Sequence, residues 1–406
     1  MLKHLSLTNF RNYVRLEVEF PPGLLLIVGG NAQGKTNLLE ALYYLSTFLS
    51  FQAENERQLI NFSAAREDLA VARIVAEYQR GLVEHRLEVR LILENENRNG
   101  LARLRKEILL DGVKQKITAV VGHLSAVVFL PQSIQIVEGS PEDRRRFLNL
   151  AIGQVMPAYT EALGEYTRAL QQRNALLKLL AEKGGDSDQL DFWDLEIARS
   201  GAKIIQARLQ AIQELEELAS PLHRQLTGGK EGLACLYQPA YDPYPTHPAQ
   251  YRLPVNVPVD RGQLSLSQIQ DGFLEALRKN RRQDIQRGLT TLGPHRDEVC
   301  FLSNGLDLTV YGSRGQGRTA VIALKLAELE WVRKKIGFWP IFLLDEVLAE
   351  LDPSRRQDLL DRLADCQQAV LTTAEAGLFA PNFLKKVTVW RVDNGRVLET
   401  ATIPEA

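Results

Sequence analysis

The residues best equipped for chemistry are Gly29-Gly30-Asn31-Ala32-Gln33-Gly34-Lys35-Thr36 and, far downstream, the acids Asp345-Glu346. The first stretch fits G-x-x-x-x-G-K-[ST], a loop whose glycines let successive N–H groups converge on one anion. Lys35 would reach the β- and γ-phosphates, and Thr36 would offer its hydroxyl to Mg²⁺. Asn37 opens the next helix, whose N-terminus adds partial positive charge. The competing reading is an ordinary glycine turn. An apolar run before it (Leu24–Val28) and an amphipathic stretch after it (Asn37–Leu45) favour a cradle for a nucleoside triphosphate. Ile341-Phe342-Leu343-Leu344 reads as a buried strand that delivers two carboxylates to its C-terminal edge, where α/β proteins place ligands. Asp345 would hold Mg²⁺ opposite Thr36, and Glu346 would polarise the water that attacks the γ-phosphate.

A second anion-binding surface is spelled by Ser313-Arg314-Gly315-Gln316 ahead of a helix expected over Thr319–Val332. One chain needs only one γ-phosphate cradle. The economical reading is that Ser313, Gly315 and Gln316 complete the site of another copy. Asp352 lies just past the acids, where it can reach across such an interface. Thr372 and Thr373 end a strand at the position of a γ-phosphate sensor.

These residues need a scaffold, and 406 residues supply one. Strands are expected over 2–9 and 14–20 around the turn Phe10-Arg11-Asn12-Tyr13, then an antiparallel meander over 69–78, 86–93 and 107–111. Another strand spans 127–130, ending at Pro131-Gln132, and a hairpin follows over 387–392 and 396–400 across Asp393-Asn394-Gly395. Between them the period turns helical. Leu163, Tyr166, Leu170, Leu177 and Leu180 share one face, and Ile205, Leu209, Ile212 and Leu215 another, with an end near Pro221. Periodicity alone fits either an antiparallel hairpin forming an arm or two helices of a compact core. Six prolines in 239–258 forbid regular structure there. The expected fold is α/β, with mixed sheets around the phosphate loop and a helical lobe. Residues 1–135 and 289–406 form the two halves of the sheet-bearing part, and 136–288 form the lobe.

Net charge of −1 gives no overall pull toward nucleic acid, so DNA contact would need local patches. Arg144-Arg145-Arg146 and the cations at 278–287 are candidates, although a solvated helix face is the commoner meaning of a charge run. Cys235, Cys300 and Cys366 show no metal-ligand spacing and read as reduced, buried residues. The N-terminus lacks a signal-peptide block and no apolar run reaches the ~20 residues of a membrane span. The expectation is a soluble, cytoplasmic protein.

Taken together, these stretches resemble the ABC-type ATPase heads of the SMC and Rad50 group, most closely the RecF family of bacterial DNA repair proteins. The likeness covers nearly the whole chain. Asn9-Phe10-Arg11-Asn12-Tyr13 matches the N-terminal signature, Pro131 through Gly139-Ser140-Pro141 to Leu148 a second motif, Gly293-Pro294-His295-Arg296-Asp297 a third, and Phe342 to Leu359 a fourth. The resemblance implies that Arg11 lies near the nucleotide. It also implies that Gln132 contacts Mg²⁺ and water, although the family usually has an acid there; Asn149 stands where aspartate is usual. For His295, a core histidine satisfied by hydrogen bonds is at least as good a reading as a functional one. Implied further are weak, DNA-stimulated ATP hydrolysis, ATP-driven head-to-head dimerisation on double-stranded or gapped DNA, and work with RecR and RecO to place RecA. The alternative is the ATPase subunit of a membrane transporter. Val347, where those usually have proline, and Thr372-Thr373, where they carry a histidine, weigh against it. A third class, an adaptor that binds ATP without turnover, is opposed by Glu346.

Overall fold

The computed structural model describes residues 1–94, 103–243 and 264–400. Two compact units emerge: Met1–Ser133 with Val332–Ala406, and Ile134–Trp331. The first begins β1 (Leu2–Phe10), β2 (Tyr13–Glu19), β3 (Gly23–Val28), α1 (Lys35–Thr47), β4 (Leu69–Arg80), β5 (Val83–Glu94), β6 (Arg103–Leu110), β7 (Val113–Lys114), the single turn α2 (Ile117–Val120) and β8 (Ala126–Phe129). The second holds α3 (Gln135–Glu138), α4 (Pro141–Val155), α5 (Pro157–Lys183), α6 (Asp191–Leu226), β9 (Leu233–Gln238), α7 (Leu266–Arg287), β10 (Glu298–Ser303), β11 (Leu306–Asp307), α8 (Leu308–Tyr311) and α9 (Arg314–Ile336), whose last turn crosses the boundary. The chain then returns to the first unit with β12 (Ile341–Asp345), α10 (Pro353–Leu363), β13 (Gln368–Thr373), α11 (Pro381–Leu384), β14 (Thr388–Asp393) and β15 (Arg396–Thr400).

The first unit has two sheets. One is antiparallel in the order β2-β1-β4-β5-β6-β7, the meander expected from the alternating stretches. The other runs β15-β14-β3-β13-β12-β8, with every neighbour parallel except β15. Ile341 to Asp345 are buried without interruption because β12 is an interior strand of a parallel sheet, with both faces covered. Helix α1 is buried from Leu38 to Ser46, and its apolar side chains join those of both sheets in one core with Leu25, Ile27, Leu343 and Trp390.

In the second unit α5 and α6 run antiparallel, as the ion pair Arg173–Asp194 and the hydrogen bond Arg208–Tyr159 require. Helix α7 packs on this hairpin. Its Phe273 sits so close to Gly201 that a methyl group there would stand 2.7 Å from the ring. The buried seam of α5 is Tyr159, Ala162, Tyr166, Ala169, Arg173, Leu177 and Leu180, at steps of three or four residues. Leu163 and Leu170, expected on that face, flank it half-buried, and on α6 Arg208 is buried where Leu209 is half-buried. The end expected near Pro221 is also corrected. The helix continues to Leu226 because Ala219, His223 and Leu226 stay buried, and one proline deletes only one ladder hydrogen bond.

The expected division at residue 288 moves as well. Residues 289–331 belong with the helical unit, since β10 pairs along its whole length with β9 and Glu298 pairs with Arg144. Of the proline-rich stretch, Pro239 and Pro243 are described, and the other four prolines lie outside the described residues.

Candidate nucleotide site

The site is built on the C-terminal edge of the mostly parallel sheet. Strand register sets Val28 beside Thr373 and Asp345 beside Thr372. The phosphate loop and both acids therefore leave the same edge, from strands separated only by β13. Gln132 follows β8, the other neighbour of β12, and is exposed there.

The loop is held open by backbone in uncommon conformations. Ala32 has φ 62° and Gly34 φ 118°. A side chain on Gly34 would come within 2.6 Å of Asn12 Nδ2 and 3.0 Å of the Tyr13 hydroxyl, so only glycine fits. Gly29 has a different reason: any Cβ there would collide with the Val392 carbonyl of β14. Around the loop, Asn12 Nδ2 donates to the Gln33 carbonyl at 2.9 Å, and Asn12 Oδ1 accepts from Asn37 Nδ2 at 2.8 Å. The Tyr13 hydroxyl donates to the Gly34 carbonyl at 3.0 Å. From the last hairpin, the Asn394 N–H donates to Gln33 Oε1 and the Gly395 N–H to the Gln33 carbonyl. Asn12, Tyr13, Val392 and Asn394 were not among the expected site residues. Asn12 and Tyr13 had a signal, since they sit in the N-terminal motif.

Lys35 is buried with its ammonium donating to the carbonyls of Gly29 (2.8 Å) and Gly30 (2.9 Å) and lying 3.0 Å from Glu346 Oε1. Thr36 Oγ1 is 3.0 Å from both carboxylate oxygens of Asp345, and Thr372 Oγ1 donates to Asp345 Oδ1 at 2.7 Å. Burial pushes the Asp345 carboxyl above its ordinary value, against the downward pull of the two hydroxyls, while Glu346 pushes it further up. Glu346 itself takes a left-handed turn, φ 54°, that swings its half-exposed carboxylate from the strand toward Lys35. Its N–H is held by Thr372.

The donor set suits a Mg²⁺–nucleotide. No cluster of three His, Cys, Asp or Glu able to hold a metal exists among the described residues. A hydroxyl and one carboxylate within hydrogen-bond distance are an incomplete, all-oxygen set, which Mg²⁺ completes with phosphate and water.

Other expected residues have local partners. Arg11 is bidentate to Glu40 of α1 at 2.7 and 2.8 Å; Glu40 is fully buried and also accepts from Ser50. Asp352 caps α10, accepting from the N–H of Arg355 at 3.1 Å and its guanidinium at 2.9 Å. Ser313 and Gln316 lie in the second unit, at the start of α9, where each side chain accepts from the other's backbone N–H. The Gly315 carbonyl accepts from Thr319, and Gln316 also donates to Glu231.

His295 proves to be a core residue. It meets the Tyr166 hydroxyl at Nδ1 (2.7 Å) and the Thr290 carbonyl at Nε2 (3.0 Å), and burial holds it down to about 4. Its motif surrounds the buried Arg208, which donates to Pro294 and Asp297 and to Asn149. The basic clusters are largely consumed internally. Arg144 pairs with Glu298 and Arg145 donates to the Asp297 carbonyl, while Arg281 is held by Asp188, Asp191 and Asp194. Arg282 and Arg287 are exposed.

Residues 1–396 match the family described as RecF/RecN/SMC N terminal domain. The DNA replication and repair protein RecF of Bacillus subtilis is 36% identical over 399 residues, covering 98% of this chain and 100% of that one. RecF of a Synechococcus strain is 37% identical over 403 residues, covering 99% and 98%. Among solved structures, one described as the recombination mediator protein RecF with ATPrS in the RecFOR pathway superposes with a TM-score of 0.82, at 30% identity and 99% and 98% coverage. The Smc head of Pyrococcus furiosus shares the fold at a TM-score of 0.52 and 15% identity, covering 98% and 96%. No helix among the described residues is long and apolar enough to cross a membrane. By this match over nearly its whole length, the chain belongs to the RecF family of DNA replication and repair proteins.

Proposed function

We propose that the chain is an ATP-dependent DNA clamp of recombinational gap repair that works with RecO and RecR to promote RecA loading. The observation that carries the nucleotide part is the meeting of Thr36 with Asp345 at 3.0 Å beside Lys35, an alcohol, a carboxylate and an ammonium converging on one loop. Bound Mg²⁺–ATP supplies the phosphoanhydride to be cut and the charge that fills this loop. Toward it the N–H groups of residues 30–36 would present donors, and Thr36 and Asp345 would hold the cation. Lys35 must exchange Glu346 for a phosphate oxygen, which frees that carboxylate to take a proton from water. Gln132 orders the same water. Ser313, Gly315 and Gln316, together with Asp352, serve the site of a second copy, so that ATP joins two heads on DNA and slow, DNA-stimulated hydrolysis releases them. Arg11 acts through Glu40 by fixing α1.

The test is binding of a labelled gapped duplex with Mg²⁺–ATP, with ADP and without nucleotide, for wild type and Glu346→Gln. Salt-sensitive binding that needs ATP, prolonged in the variant together with a dimer, is expected. Binding indifferent to nucleotide, or a variant that hydrolyses at the wild-type rate, would sink this reading.

A further inference from the structure

Strand β6 pairs along its whole length with β5 on one side. On the other side β7 covers only Leu109 and Leu110, and one further bond runs from the Gln115 N–H to the Ile108 carbonyl. Backbone groups alternate sides along a strand. The bond at Ile108 therefore fixes the direction of Lys106 and Leu104, which turn their N–H and C=O the same way. Among the described residues no backbone group meets them. Sheet edges are usually blunted because they recruit other strands. Among the described residues the edge is unpaired for about 17 Å, the span of five residues.

Beside this edge lies a groove of about 350 Å³, lined by Lys106, Ile108, Lys114, Lys116 and Ile117 among others. Its rim is basic. Lys106 pairs with Glu56, and Arg105 and Lys114 share Glu107. Arg103 and Lys116 are exposed with no acid of the described residues against them. Five cations thus face two carboxylates, one of which already serves two of them. Cations alone would be explained as protection against edge-to-edge pairing. That explanation has no use for a groove whose floor is two isoleucines.

We propose that this edge docks an acidic, extended peptide segment of a partner protein, which adds as a strand beside β6 and seats alternate apolar side chains over Ile108 and Ile117. A DNA backbone would satisfy the cations, but it offers only acceptors. It leaves the Lys106 and Leu104 carbonyls unmet and gains nothing from the apolar floor.

The test uses the full chain and an equimolar pool of fluorescein-labelled heptapeptides alternating Asp or Glu with Val, Ile or Leu. Anisotropy should show saturable binding that falls at least about tenfold when every second peptide amide is N-methylated in one of the two registers, and at least about fivefold in Arg103→Glu/Lys116→Glu. Both side chains are exposed, so the variant's melting temperature should match wild type. Bound peptide should slow amide hydrogen exchange at Leu104 and Lys106. Three results would each overturn the proposal: no saturable binding, indifference to N-methylation, or displacement of the peptides by duplex DNA with the same loss on charge reversal. The last would mark a phosphate-binding surface instead.

Discussion

Asn12 and Tyr13 tie the phosphate loop to the N-terminal hairpin, and Asn12→Ala is the change that tests whether the loop is pre-formed. Two hydrogen bonds vanish, one from Nδ2 to the Gln33 carbonyl at 2.9 Å and one to Oδ1 from Asn37 at 2.8 Å. Each is half-buried, so each contributes about 1 kcal/mol net rather than the full strength of an isolated bond. The pair sums to about 2 kcal/mol, or roughly a thirtyfold change in an equilibrium constant. Loop residues in left-handed backbone, Ala32 and Gly34, have the least intrinsic reason to stay in place. Most of that loss should therefore fall on the fraction of molecules with a competent cradle. Affinity for a fluorescent ATP analogue with Mg²⁺ should drop about tenfold to thirtyfold, while thermal unfolding shifts by only a few degrees. Asn37→Ala removes one of the two bonds and should cost about fivefold. If both variants bind within a factor of two of wild type, the loop does not depend on Asn12 and the positioning argument is wrong.

Thr372→Val removes one hydroxyl from Asp345 and should raise the Mg²⁺ concentration needed for half-maximal hydrolysis about threefold to tenfold, with Thr372→Ser restoring it. Arg173→Ala leaves Asp284 buried without its cation and Asp194 with Arg281 alone, and should destabilise the helical unit by about 3–5 kcal/mol in denaturant titration; a loss below about 1 kcal/mol would mean that water replaces the guanidinium. His295 sits at about 4, below its ordinary 6.5, so across that window the unfolded chain holds a proton that the native chain lacks. Stability should accordingly rise with pH between about 4 and 6.5, by up to about 3 kcal/mol, and His295→Gln should flatten that limb. An unchanged acid limb would remove His295 from the account.

How much of this was legible in the sequence follows from where the constraint acts. The phosphate loop and the strand ending in Asp345-Glu346 could be read because phosphate chemistry dictates residue types within a few consecutive positions. The contacts that join strand to strand around them could not. Val392 reaches Gly29 only because β14 pairs with β3, and Thr372 reaches Asp345 only through parallel register across β12 and β13. Periodicity counted apolar residues, so it passed over Arg173 and Arg208, which occupy buried seam positions because carboxylates or carbonyls wait for them there. The placement of residues 289–331 depended on the β9–β10 pairing, a contact between segments some sixty residues apart.

Arg11 shows the same limit from the other side. Its charge and its place in the N-terminal motif invite a nucleotide contact, yet the guanidinium is already bidentate to a carboxylate with no solvent exposure. Turning Arg11 toward a phosphate would strand Glu40 at a cost of about 3–5 kcal/mol, more than one surface phosphate contact returns. The motif is therefore better understood as a brace. Arg11 and Asn12 are adjacent, one gripping α1 at Glu40 and the other at Asn37, about one helical turn apart. Two grips on one helix fix its rotation as well as its position, and it is rotation that aims the N–H groups of the loop at a single point.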